Sequence, residues 1–183
     1  MKVLIDACVL YPTVMREMVM GAAKIGLFTP LWSPRILEEW ARAAARLGPE
    51  QESFARGEIV LLNAHWPAAS ITPNAGTEAR LWLPDENDIH VLAAAVTGGA
   101  DVLLTLNNAD FPRHTLAEEG LRRASPDLFL LDFLGAHPDQ MKTLGQQVLS
   151  QAIRLSGGDS WIIRKLMKKA RLPRLGKALE NLA

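Results

Sequence analysis

The chain has 183 residues, 49% of them hydrophobic, which suits one α/β domain with a small appendage and a buried core. The single cysteine, Cys8, excludes an internal disulfide and a Cys-rich zinc site, the four histidines are not paired at ligand spacing, and no apolar run approaches the ~20 residues of a membrane span; a soluble, cytoplasmic chain with no membrane partner is expected. Net charge is zero, yet residues 1–140 carry 11 Lys and Arg against 18 Asp and Glu, a balance of −7, while residues 141–183 carry 9 against 2, a balance of +7; nucleic acid and the acidic body itself are equal candidates for partnering the basic tail.

Residues 2–5 (KVLI) read as a buried strand that stops at Asp6, so a carboxylate stands at the strand end where ligands of parallel sheets gather. Turn formation or helix capping would explain a lone Asp there as well. Cys8 reads as a small core residue. Residues 14–25 have helical spacing and end at Gly26, and residues 27–32 read as a second strand. Ser33 followed by Pro34 signals a helix start. On that helix Ile36, Trp40, Ala43 and Leu47 make a stripe; Glu39 lies about 60° from its centre and Glu38 nearly opposite, so Glu38 faces water and Glu39 needs an arginine or a metal.

Residues 49–67 admit another helix and 68–73 a short extended segment; Trp66 and Trp82 read as packing residues. The stretch from Pro84 to Pro112, PDENDIHVLAAAVTGGADVLLTLNNADFP, is the most informative. Its helix places Asp85 and Asp88 on the apolar side, and Gly98 and Gly99 end it. A helix cap accounts for one such acid easily and for two less easily. Asp101 falls at the opposite sheet edge. The strand 102–106 leads to Asn107, at the position equivalent to Asp6, with Thr105 placed to orient a carboxylate or a water, and with Asn108 and Asp110 in the following turn. Together with Asp6 and Glu39 these groups are expected to build one metal-binding pocket. Ser125 and Pro126 start a helix over 127–134, GAHPD (135–139) reads as a boundary, and the tail reads as a helix over 140–155, a break at Gly157 and Gly158, and a basic amphipathic helix, SWIIRKLMKKARL, opening at Asp159 or Ser160. Such a helix binds phosphates, lies on a membrane, or packs its apolar side on a neighbour.

Four stretches in order, VLIDACVLYP, LWSPRILEEW, LPDENDIHVLAAAV and ADVLLTLNNADFP, resemble the PIN domain family of metal-dependent ribonucleases, over roughly residues 1–134. The resemblance implies a three-layer α/β/α sandwich with a central parallel sheet (residues 1–137), here followed by a basic helical C-terminal extension (138–183). It matches Asp6, Glu39 and Asp88 to the family's first three acids. The fourth acid, usually in a Thr-any-Asp pattern, is replaced by Thr105-Leu106-Asn107; Asn107 can offer a neutral oxygen, and Asp85 or Asp110 can restore the charge. In bacteria many such proteins look like the VapC-like toxin of a toxin–antitoxin pair, which implies RNA as substrate and an antitoxin protein as partner; a homodimer is open.

Hard oxygen ligands without His or Cys favour Mg2+ or Mn2+. The expected reaction is hydrolysis of RNA phosphodiesters, with Asp6, Glu39 and Asp88 catalytic, Asp6, Asp88, Asn107, Asp85 and Asp110 around the metal, and Thr105, Arg164, Lys165, Lys168 and Lys169 on the substrate. One rival is a phosphatase with Asp6 as nucleophile, which wants a second acid where Cys8 stands. The other is a non-hydrolytic RNA-binding or protein-interaction module, with Asn107 recording lost catalysis.

Overall fold

The computed structural model describes residues 1–157 and 160–182. In chain order it contains β1 (Lys2–Ile5), α1 (Ala7–Leu10), α2 (Thr13–Lys24), β2 (Thr29–Leu31), α3 (Pro34–Ala45), α4 (Pro49–His65), α5 (Ala75–Arg80), a 3-10 turn (Glu86–Asp88), α6 (Ile89–Gly98), β3 (Val102–Leu104), α7 (Arg113–Glu118), β4 (Arg122–Ala124), α8 (Pro126–Ala136), α9 (Pro138–Leu155), α10 (Ile163–Lys169) and α11 (Pro173–Asn181). The strands form one parallel sheet in the order β2-β1-β3-β4. A central parallel sheet flanked by helices, with further helices at the C-terminal end, is the sandwich class expected from the sequence.

Two compact units divide the chain. The first, Met1–Tyr11 with Phe28–Ala124, holds the sheet. Its interior strands β1 and β3 are apolar without alternation, Val3, Leu4, Ile5, Val102, Leu103 and Leu104 all being buried, because helices cover both faces of a parallel sheet. Pro30 is admitted in β2 because that strand lies at the sheet edge and can spare a ladder donor. The segment after α4 does run extended, Ser70 bridging to Trp32 in parallel. Helix α6 ends at Gly99, in the left-handed region at φ 60°, and Gly98 lies against side chains: a Cβ there would stand 2.9 Å from Cδ1 of Leu31, which would have to shift. Trp66 packs edge-on against Trp32, whereas Trp82 is 63% exposed and is not the packing residue expected.

Pairing Ile5 with Leu104 has a direct consequence for chemistry. It sets Asp6 and Thr105 side by side where adjacent strands end. At the other end of the same strands, Oδ2 of Asp101 accepts from the backbone N–H of Lys2 at 2.7 Å, which fixes Asp101 away from that edge.

The second unit, Pro12–Leu27 with Ser125–Ala183, is helical. Its core includes Met15, Met18 and Val19 of α2, Phe129 and Leu130 of α8, Met141 and Leu144 of α9, and Leu166, Met167, Leu175 and Leu179 of α10 and α11. Within this unit α2 packs closely with α9: a Cβ on Gly21 would fall 2.3 Å from Leu144. The expected opening of the last basic helix at Asp159 lies outside the described residues, and α10 begins at Ile163. Asp127, in the first turn of α8, caps α11 by accepting from the backbone N–H groups of Arg174 and Leu175, the latter at 3.0 Å; an anion there also meets the positive end of the helix dipole.

Candidate metal centre

Asp6 is buried, directly after β1, and its N–H continues the ladder to the carbonyl of Leu104 at 3.1 Å. Its carboxylate is held on one side: Oδ2 accepts from Thr105 Oγ1 at 2.6 Å and from Cys8 Sγ at 3.0 Å. Thr105 accepts in turn from the N–H of Asn107 at 2.9 Å, so one hydroxyl orients the Asp6 carboxylate and starts the loop that follows β3. Cys8 is thus a partner of Asp6 as well as a filler. Burial, and then the neighbouring Asp6 charge, push its thiol up to about 12.

The turn before α6 supplies two more acids. Asp85 caps the 3-10 turn, its Oδ1 accepting from the N–H of Asn87 at 2.9 Å. Asp88 occupies the cap position of α6 without spending its side chain on the helix amides, which leaves its carboxylate for the site. Among the described residues, the His, Cys, Asp and Glu side chains whose ligand atoms converge are Asp85, Asp88 and Asp110, all within 4.8 Å of one another. Asp6 and Glu39 are not in that group of three, although the Asp6 charge is felt at Asp88. Burial first, then the charges of Asp6, Asp85 and Asp110, raise the Asp88 carboxyl to about 6, against a weak opposing effect of His90. A buried carboxylate crowded by others disfavours its own ionised form.

Asn107 ties this cluster together. Its Nδ2 donates to Asp110 Oδ2 at 2.6 Å and to Asp88 Oδ2 at 3.1 Å. The side chain expected to offer a neutral oxygen therefore points its nitrogen at the acids. The loop carrying Asp110 is fixed from β4, where Arg123 Nη1 donates to the carbonyls of Asn108 and, at 2.7 Å, of Phe111.

The glutamates of α3 differ by partner more than by exposure. The buried face of α3 is Ile36, Leu37, Trp40, Ala41 and Ala44; Leu47 is exposed, so the stripe read from the sequence is displaced. In consequence the side chains of Glu38 and Glu39 are 39% and 37% exposed. Glu38 pairs with Arg56 and Arg42, each at 3.0 Å, and these partners hold its carboxyl below the usual range. Glu39 Oε1 lies 3.5 Å from Arg35 Nε and 2.8 Å from Nε2 of His90. His90 is only 3% exposed, and neither ring nitrogen has a well-directed hydrogen bond among the described residues. Sequence reasoning passed over this histidine, although a lone imidazole in the apolar run IHVLAAAV was its signal.

The proposed substrate cations of the tail lie in the other unit. Lys165, Lys168 and Lys169 are exposed, Lys169 sits 4.9 Å over the Trp161 ring, and Arg164 pairs with Glu180 at 2.9 Å. Leu166 and Met167, between them, are buried, so α10 packs its apolar side as an amphipathic helix does. No described helix is long and apolar enough to cross a membrane.

Three converging carboxylates, all hard oxygen donors, one of them with a raised proton affinity, fit a divalent cation, which would relieve their mutual repulsion. No curated protein and no solved structure gives a significant match to the chain. The family model described as PIN domain matches residues 2–109, and that stretch contains Asp6, Glu39, Asp85, Asp88, Thr105 and Asn107. With more than half of its length matched, the chain belongs to the PIN domain family.

Proposed function

We propose that the chain is a metal-dependent ribonuclease that hydrolyses RNA phosphodiester bonds, the cytoplasmic toxin of a toxin–antitoxin pair, with Mg2+ or Mn2+ as its cofactor. The observation that carries the reading is the convergence of Asp85, Asp88 and Asp110 at the end of a parallel sheet in a PIN domain chain. Asp85, Asp88 and Asp110 would hold the ion, with Asp6 beside them and Asn107 turning to offer its oxygen. When bound, the ion supplies Lewis acidity, neutralising charge at the scissile phosphate and activating a water. Thr105 keeps Asp6 in one orientation, and Glu39, beside His90, would accept a proton from that water. The exposed Lys165, Lys168 and Lys169 suit RNA phosphates, and an antitoxin protein would silence the enzyme.

Cleavage of RNA by the purified chain should require Mg2+ or Mn2+ and stop with excess chelator, and Asp88→Asn should abolish it while leaving the thermal melt intact. Cleavage that persists in chelator sinks the reading. The second reading, a catalytically weakened RNA-binding or protein-interaction module, is favoured by one observation: Asn107 stands where the family places an acid, and its amide hydrogens are spent on Asp88 and Asp110.

A further inference from the structure

We infer that Arg35 is a substrate-positioning residue that holds an RNA phosphate beside the acidic cluster; this rests on the ribonuclease reading. The first unit carries fourteen acidic residues against nine basic ones, so a polyanion approaching Asp85, Asp88 and Asp110 meets a repulsive surface except where a free cation lies close by. Four of the eight arginines of that unit are already engaged. Arg42 and Arg56 are spent on Glu38 and Glu52, Arg80 on Glu119 through a contact of 2.6 Å, and Arg123 on loop carbonyls.

Arg35 differs. Its side chain is 57% exposed, and its contacts are long, 3.5 Å to Glu39 Oε1 and 3.4 Å to the carbonyl of Asn87. Asn87 directly precedes Asp88, and its N–H is bonded to Asp85, so the guanidinium stands at the rim of the cluster. Its planar fork of donors matches a phosphate better than these weak partners. An exposed ion pair with Glu39 contributes little to stability, which leaves ligand binding as the larger use of this side chain.

The test compares wild type, Arg35→Ala and Arg35→Lys. A fluorescently labelled single-stranded RNA of mixed sequence is titrated in chelator at several salt concentrations, and cleavage kinetics are measured in Mn2+. Arg35→Ala should raise KM about tenfold with kcat within twofold. It should also flatten the salt slope of RNA affinity by about 0.7, the contribution of one phosphate on a single strand. Arg35→Lys should keep the slope and recover part of KM, and Mn2+ affinity should hold or rise in both variants. An unchanged KM and slope overturns the inference, as does a loss confined to kcat or Mn2+ affinity, which would make Arg35 a mere support for Glu39. Failure of the wild-type chain to cleave RNA would overturn the ribonuclease reading instead, and the binding series would still decide Arg35.

Discussion

The amide nitrogen of Asn107 lies 2.6 Å from Oδ2 of Asp110 and 3.1 Å from Oδ2 of Asp88, so this asparagine is a donor standing between acids. A carboxylate in its place would lose both hydrogen bonds and add a like charge. Asn107→Asp should therefore destabilise the metal-free protein by about 1–3 kcal/mol, while raising Mn2+ affinity at least tenfold. Thermal melts with and without Mn2+, alongside calorimetric titration, test both halves; equal affinity would remove residue 107 from the ion's surroundings.

Asp88 sets a pH dependence. Its carboxyl is raised from an ordinary value near 3.8 to about 6, so between those values the folded state holds a proton that the unfolded state has released. The stability this group contributes is fully present below about 4 and is lost as pH rises through 6, in the absence of metal. Metal competes with the same proton, so Mn2+ affinity should climb with pH up to about 6 and level off above it. Titrations between pH 4.5 and 7.5 in wild type and Asp88→Asn should show the break only in wild type.

The glutamates of α3 should separate by function. Glu38→Gln gives up exposed ion pairs with Arg42 and Arg56, costing about 0.2–1 kcal/mol and leaving turnover unchanged. Glu39→Gln should melt like wild type and lower kcat by about a hundredfold if Glu39 handles the proton. Equal kinetics for the two variants would remove Glu39 from the chemistry.

Cys8 should be inert. With its thiol pushed up to about 12 by burial and by Asp6, the thiolate fraction at pH 8 is small. Alkylation by iodoacetamide should run at least a hundredfold slower in the native chain than in denaturant; a fast native reaction would show the thiol free of Asp6.

What could be read from the sequence followed the strength of each local pattern. The helix after Pro84 was legible because an acid-led start, an apolar run and paired glycines agree, and β1 because nothing else suits KVLI before a polar stop. Helices α1, α5 and α7, and strand β4, were missed because segments of three to six residues carry too little periodicity to stand out. The geometry of the centre was less accessible. Sequence placed Asp85, Asp88, Asn107 and Asp110 within reach of each other, but not that Asn107 presents its nitrogen, since side-chain rotation about one bond leaves no trace in residue order. Glu38 and Glu39 show the same limit: a displacement of the buried face by one residue, from Ala43 to Ala44, removed the predicted contrast in exposure.

Helix α2 packs with α9 and α10, which are made more than a hundred residues after it. Ribosomes release about 5–20 residues per second, so the stretch Phe28–Ala124 that separates the two parts of the second unit takes on the order of ten seconds to emerge. Throughout that time Met15, Met18 and Val19 lack Leu144 and its neighbours. Such a sticky, uncovered helix on a nascent chain invites chaperone capture, and it makes the emergence of α9 and α10, rather than completion of the sheet, the event that covers it.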